Sequence, residues 1–288
     1  MITILVSGAG GPAGSSLIRQ LRFADTSTPL RIIATDISAA PTVATLADDF
    51  LLGPRADSPA LLPFLQRTIA EYGVDVFIPT VQDELPAVAA AADILGARVL
   101  LSSVPAVAVC NDKWLTALAL EDRGVAVPHT TAGTAESHEF PVVVKPRVSR
   151  GGRGVVVADT PGDLPDLDDA LIVQSFAPGT EYCPQLFIHP ADEKADVVVL
   201  RKTVLRDGRV GNADAVERVT EPDPEADAVA ALARRAARAL NLAGPVDMDI
   251  RIDAAGNPVV LEINARFGAN SAHAPELLDG VLRMIGAR

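Results

Sequence analysis

Short apolar runs alternate with amphipathic stretches through the first hundred residues. "ITILVS", "RIIATD", "DFLLG", "DVFIPT" and "ARVLLS" are apolar on both faces and predict short buried strands. Between them, "GSSLIRQLRF", "PALLPFLQRTIAEYG" and "ELPAVAAAADILG" carry helical spacing. This alternation predicts a parallel sheet with helices on both faces and ligands gathered at the carboxyl ends of its strands. After residue 103 the pattern changes. "CNDKWLTALALEDRGVAVP" predicts a helix stopped by Gly124, followed by β-rich runs "PVVVKP", "GVVVADT", "ALIVQSF", "EYCPQLFIH", "ADVVVLRKTV" and "RVGNADAV". Asp207–Gly208 between the last two is a hairpin signal. The amphipathic "PEADAVAALARRAARALN", a closing hairpin of "VDMDIRID" and "PVVLEINA", and a helix around 275–286 complete an α+β half. The expected parts are 1–103, a small lid at 104–174, and 175–288.

Composition narrows the class. The chain has 288 residues, is 49% hydrophobic and carries a net charge of −12. That acidity argues against nucleic acid and anionic membrane as partners. No apolar run approaches the ~20 residues that span a bilayer. "MITILV" lacks a basic start, so a cytoplasmic location is expected. Cys110 and Cys183 match no metal or redox spacing and are expected to be buried thiols.

The candidate chemistry begins at "SGAGGPAG". Gly8, Gly10 and Ala13 fit the dinucleotide-binding turn, and Asp36 ends the next strand where a ribose-binding acid belongs. An NAD(P)-dependent oxidoreductase is therefore one reading. In "PTVQDE", Asp83 and Glu84 either complement a helix dipole or touch a substrate. The loop "KPRVSRGGRG" sets Lys145, Arg147, Arg150 and Arg153 around Gly151, Gly152 and Gly154, between two strands. Glycines admit an anion to the backbone and cations neutralise it, so this loop is expected to cover phosphates.

The closing hairpin is the second chemical signal. With Asp249 opposite Glu262, Met248 meets Ile263, Ile250 meets Leu261 and Ile252 meets Val259 on the apolar face. Asp247, Asp249, Glu262 and Asn264 then crowd the other face, and Arg266 continues it. Carboxylates so placed repel unless a cation joins them, and an all-oxygen set suits magnesium. Glu262→Gln is accordingly expected to leave the metal-free protein as stable or slightly more so. In "LIVQSFAPGTEY", an adenine could use the backbone of Ser175, Phe176 and Ala177, with the Phe176 ring as an apolar neighbour and Glu181 on the ribose.

Together these stretches resemble the ATP-grasp enzymes, especially the synthetase domains of the carbamoyl-phosphate synthase large chain, over essentially the whole chain. The resemblance implies a Rossmann-like pre-ATP-grasp α/β domain that keeps the glycine turn without NAD, followed by an α+β ATP-grasp domain. It implies ATP and Mg2+ as cofactors. Lys113, Lys145, Arg150, Arg153 and either Arg201 or Lys202 would serve phosphates; Glu262, Asn264 and Asp249 the metal; and Arg266 an acyl phosphate, with Arg266 and Lys145 in the catalytic roles. The implied partners are a small-molecule carboxylate and an amine acceptor, and the assemblies open to the chain include a homodimer. The chain departs from the family at Ser175, where an acid is usual, at Ala265 and in "GANSAHAPE", where His273 either reaches substrate or plays a structural part. A non-catalytic nucleotide-binding module would carry the same ATP-site residues.

Overall fold

The computed structural model describes residues 1–135, 138–189, 194–206 and 208–288. Its first sheet is parallel and five-stranded. The strands are β1 (Ile2–Ser7), β2 (Leu30–Asp36), β3 (Asp49–Leu52), β4 (Val76–Ile78) and β5 (Arg98–Val99), in the order β3-β2-β1-β4-β5. Helices α1 (Pro12–Phe23), α2 (Pro41–Ala44), α3 (Leu61–Tyr72) and α4 (Leu85–Ala91) connect them. Alternate residues serve two separate cores: Ile4, Val6, Ile32 and Ala34 go to one, Leu5, Ile33 and Phe77 to the other. That division is why the strands are apolar throughout.

Two helices lead onward, α5 (Val104–Asn111) and α6 (Lys113–Asp122). Asp112 caps α6, its carboxylate accepting from the Trp114 and Leu115 backbone N–H groups. A four-stranded antiparallel sheet follows, made of β6 (Thr130–Ala132), β7 (Val142–Pro146), β8 (Val156–Ala158) and β9 (Leu171–Ser175), in the order β6-β9-β7-β8.

The third sheet corrects two expected strands. "EYCPQLFIH" is broken at Cys183–Pro184 into β10 (Glu181–Tyr182) and β11 (Gln185–Ile188), which share one edge of the same neighbour. Proline has no N–H for the ladder, so pairing lapses there. "ADVVVLRKTV" is likewise β12 (Ala195–Val198), paired with β11, and β13 (Leu200–Leu205), paired with β10 and with β14 (Ala213–Arg218). Asp207 of the expected turn lies outside the described residues. After α7 (Pro224–Ala239), β15 (Gly244–Ile252) runs down the middle of the sheet and β16 (Pro258–Asn264) covers its other edge. Helix α8 (Glu276–Met284) returns to the first sheet. Phe187, Leu200, Phe267, Leu277 and Val281 share one core with Ile4, Val6 and Leu17, so the two halves are packed as one body on that side.

Candidate functional site

The acidic face of the closing hairpin forms as its alternation predicts. Asp247 lies opposite Asn264, Met248 opposite Ile263 and Asp249 opposite Glu262. Beyond that pair the register slips. Ile250 pairs with Val260, not Leu261, and Ile252 with Pro258, not Val259, so Leu261 is the extra residue of a β-bulge. A bulge removes a residue from the ladder. The Leu261 carbonyl instead accepts a hydrogen bond from Lys145 Nζ at 3.1 Å.

Three lysines from three elements converge on these acids. Lys113, at the start of α6, lies 3.3 Å from Glu262 Oε1 and donates to the Ser149 carbonyl at 2.9 Å. Lys145 stands near the end of β7 and is buried. Burial pulls its pKa down to about 8, with Lys113 adding to the effect and Glu262 opposing it. Lys202 on β13 pairs with Glu181 at 2.5 Å and Asp249 at 2.8 Å. Burial works against its charge, but Asp249 and Glu181 outweigh that and hold its proton above the ordinary lysine range. Alternation along β13 puts the two expected basic residues on opposite faces. Arg201 points the other way, to Glu217 at 2.6 Å, Asp223 and the Tyr182 ring.

The expected repulsion among the carboxylates is thus answered by the protein's own cations. Asp247 accepts from Gln185 Nε2, lies 3.7 Å from Arg266 Nη1, and receives Asn264 Nδ2 at 3.4 Å. Burial, with Asp249 beside it, pushes its pKa up to about 6. Asp249, Glu262 and Asn264 are hard oxygen donors on facing strands and fit a magnesium ion. Among the described residues no three His, Cys, Asp or Glu side chains gather to hold an ion alone, so phosphate or water oxygens would have to complete its shell.

The segment expected to meet adenine, Ser175 to Ala177, is more occupied than its sequence implies. The Ser175 N–H donates to the His129 carbonyl at 2.9 Å and the Phe176 N–H to Pro141 at 3.1 Å, which leaves Ala177 to offer the backbone donor. The Phe176 ring, expected beside adenine, has the Arg209 and Arg251 guanidinium carbons 4.5 and 5.0 Å from its centroid. Glu181 is 6% exposed, held by Lys202 and by Arg251 at 3.4 Å. Arg251, which reads in sequence as a solvated strand residue, is buried and also donates to the Gly179 and Arg209 carbonyls.

In the glycine loop, Gly151, Gly152 and Gly154 have φ of 65°, 71° and 74°, conformations that side chains disfavour. Arg153 is exposed. Arg147 is instead bonded to Asp112, its Nε donating to Oδ1 at 3.3 Å and its Nη2 to Oδ2 at 2.7 Å, and braces the start of α6. Arg150 instead reaches Asp83 of the first module in an ion pair.

Below that pair opens a cleft of about 1270 Å³. It runs from the glycine turn and Asp36, past Gln82, Asp83 and Glu84, to Arg150 and Arg266. None of the three lysines lines it. The turn itself is closed to an anion: Gly10 N–H donates to Asp36 Oδ2 at 2.8 Å, and Gly11 N–H to the Gly8 carbonyl at 2.9 Å. Glu84 accepts from Ser7 Oγ and from the Val81 N–H at 3.2 Å, the latter a capping contact of the kind its position predicts. His273 is exposed on a short 3-10 turn. Both cysteines are buried; burial raises the Cys110 thiol to about 12 and the Cys183 thiol further.

Sequence reasoning misses Gln185, Arg251 and Gln82. Gln185 and Arg251 do sit at alternate positions on strands beside the acidic face, a weak signal that was available. Gln82 has none, because its role depends on contacts with α5.

Comparison with known proteins places the chain in a family. The ATP-grasp domain family matches residues 110–270. The carbamoyl phosphate synthase arginine-specific large chain, chloroplastic, of Oryza sativa subsp. japonica is 27% identical over 125 residues, which are 38% of this chain and 11% of that one. The chain thus spans about a tenth of that relative's length. The L-amino acid ligase of Bacillus licheniformis superimposes with a TM-score of 0.73 at 19% identity, over 95% of this chain and 69% of that one. The biotin carboxylase–β-γ-ATP complex of Campylobacter jejuni gives 0.76 at 16% identity, over 99% and 70%. These structures share the α/β fold. With the family match covering more than half its length and including every lysine and acid of the cluster, the chain belongs to the ATP-grasp domain family.

Proposed function

We propose that the chain is an ATP-dependent ligase that phosphorylates a small carboxylate, releases ADP, and passes the acyl phosphate to an amine. The observation that carries this reading is the convergence of Lys113, Lys145 and Lys202 on the Asp249–Glu262 pair beside a glycine loop. Three buried cations and a hard-oxygen acid pair match a metal-bound polyphosphate and little else. Residues 1–103, 104–174 and 175–288 would act as substrate module, lid and nucleotide module.

The chain's residues position and neutralise; none forms a covalent bond. Lys113, Lys145, Arg150 and Arg153 hold phosphates with the N–H groups of Gly151, Gly152 and Gly154. Lys202 holds both Asp249 and Glu181 in place. Ala177 offers its backbone to the base, and Glu181 receives ribose hydroxyls. Asp249, Glu262 and Asn264 would carry the magnesium, which supplies charge neutralisation at the phosphates. Arg266 lines the cleft and serves the acyl phosphate. The acceptor carboxylate enters through the cleft, where Arg150 and Arg266 supply cations. The engaged Gly10 and Gly11 amides favour ATP over NAD, since a pyrophosphate would have to displace Asp36.

Calorimetry should show binding of Mg-ATP and not of NADH. ADP release, screened against amino acids and small carboxylates singly and with amines, identifies the substrate pair. Hydroxylamine should trap a hydroxamate from ATP and the carboxylate alone. AMP and pyrophosphate in place of ADP would refute the acyl-phosphate route.

A further inference from the structure

One wall of the cleft carries two buried side chains with acceptor oxygens, Gln82 and Glu84. Glu84 is 3% exposed, lines the cleft, and makes no ion pair with any Lys or Arg among the described residues. Gln82 is 7% exposed and lines the same wall. Its amide nitrogen donates to Asn111 Oδ1 at 3.3 Å, while its buried Oε1 has no partner. A buried acceptor without a donor is costly, and the Gln82 oxygen beside a buried carboxylate that has hydrogen bonds but no counter-cation among the described residues points to a ligand that donates and carries positive charge. Cations line the same cleft, Arg19, Arg55, Arg150 and Arg266, but Arg150 is taken by Asp83 and none of them pairs with Glu84.

We infer that the second substrate is a protonated primary amine, recognised by Gln82 and deprotonated by Glu84. This rests on the ligase reading above and adds to it the chemistry of the acceptor and the group that activates it. The charged groups around Glu84 are Asp36 at the end of β2, adjacent Asp83, Arg150 bound to Asp83, and Arg266. Burial foremost, with Asp36 adding to it and the Ser7 and Val81 bonds opposing, raises the Glu84 pKa to about 7. A carboxylate so tuned takes a proton from an ammonium group better than an ordinary one does.

The step balances. The ammonium gives one proton to the Glu84 carboxylate. The freed nitrogen lone pair attacks the acyl carbon, and the C–N bond forms. The C–O bond to phosphate breaks, its electron pair leaving on the phosphate, which takes the second nitrogen proton. Glu84 then returns its proton to water.

The test compares two acceptors on the carboxylate found by the ADP-release screen. Hydroxylamine is largely neutral at pH 7.5 and needs no base, whereas the amine from the same screen is protonated. In Glu84→Gln the ratio of amide to hydroxamate should fall ~100-fold relative to wild type. The wild-type ratio should rise with pH through the Glu84 titration and level off. In the variant it should climb until the amine's own pKa. Gln82→Met should raise KM for the amine ~10-fold and leave kcat nearly unchanged. An unchanged ratio in Glu84→Gln, or equal loss of both products from a folded variant, overturns the inference while the ligase reading stands. No hydroxamate from wild type with any carboxylate overturns both.

Discussion

Lys145 Nζ donates to the Leu261 carbonyl at 3.1 Å, where the ladder between β15 and β16 slips by one residue. The bulge turns a backbone acceptor toward a buried ammonium and keeps the next residue, Glu262, paired with Asp249. One irregularity therefore fixes both the buried cation proposed to hold phosphate and the acid pair proposed to carry the metal.

Lys145 is costly to the empty protein. Its folded pKa of about 8 lies below the ordinary lysine value of 10.5. Below pH 8 both folded and unfolded chains are protonated, and the folded one bears the full desolvation penalty. Between pH 8 and 10.5 the unfolded chain binds more protons, so this group's contribution to stability rises with pH. Lys145→Met should abolish ADP release yet melt at or above the wild-type temperature at pH 7, a gain of about 1–3 kcal/mol. Denaturant titrations at pH 7 and pH 10 should show the difference shrinking. A variant that is less stable at pH 7 would show that Glu262 and the Leu261 carbonyl more than repay the burial.

Glu262→Gln separates two roles. The structure replaces the expectation of neutral or improved stability, because Lys113 loses its carboxylate partner. In the absence of nucleotide and metal the variant should lose about 1–3 kcal/mol. Turnover at saturating magnesium should fall ~10²–10³-fold. Equal turnover would sink the metal assignment.

Glu84 gives a stability signature of the opposite sign to Lys145. Its pKa rises from 4.5 to about 7 on folding, so the folded chain binds the extra proton between those values. The group's contribution is fully present below pH 4.5 and is lost as pH rises through 7. Relative to wild type, Glu84→Gln should gain up to about 3 kcal/mol between pH 4.5 and 8. Urea midpoints of both proteins across that range measure it, and a flat difference would mean that Glu84 is not so perturbed.

Gly268 lies against Asp247. A Cβ there would sit 2.5 Å from Asp247 Cγ and 2.6 Å from its Oδ1. Gly268→Ala must therefore push Asp247 off Gln185 and Arg266. It should cost about 1–3 kcal/mol, as overpacking does. It should also lower kcat for ADP release, since Arg266 loses its carboxylate partner. Melting and turnover of this one variant check both.

The sequence by itself determined what depends on local period and backbone chemistry. Both-face apolar runs specified the parallel sheet, because each strand of that sheet is covered on two sides. Alternation put Asp247, Asp249, Glu262 and Asn264 on one face and made Asp249 face Glu262. Three glycines among cations marked a loop whose φ angles only glycine adopts readily. Tertiary structure decided what depends on neighbours distant in the chain. The bulge at Leu261 follows from packing and is invisible to a period-two pattern. Arg147 was drawn to the helix cap at Asp112, Arg251 to Glu181, and Arg150 to Asp83, because charges pair by proximity in space. Glu84 has the same composition as any surface acid of the chain. Only its burial beside the end of β1, with Ser7 as a hydrogen-bond donor and no basic partner among the described residues, sets its proton affinity apart.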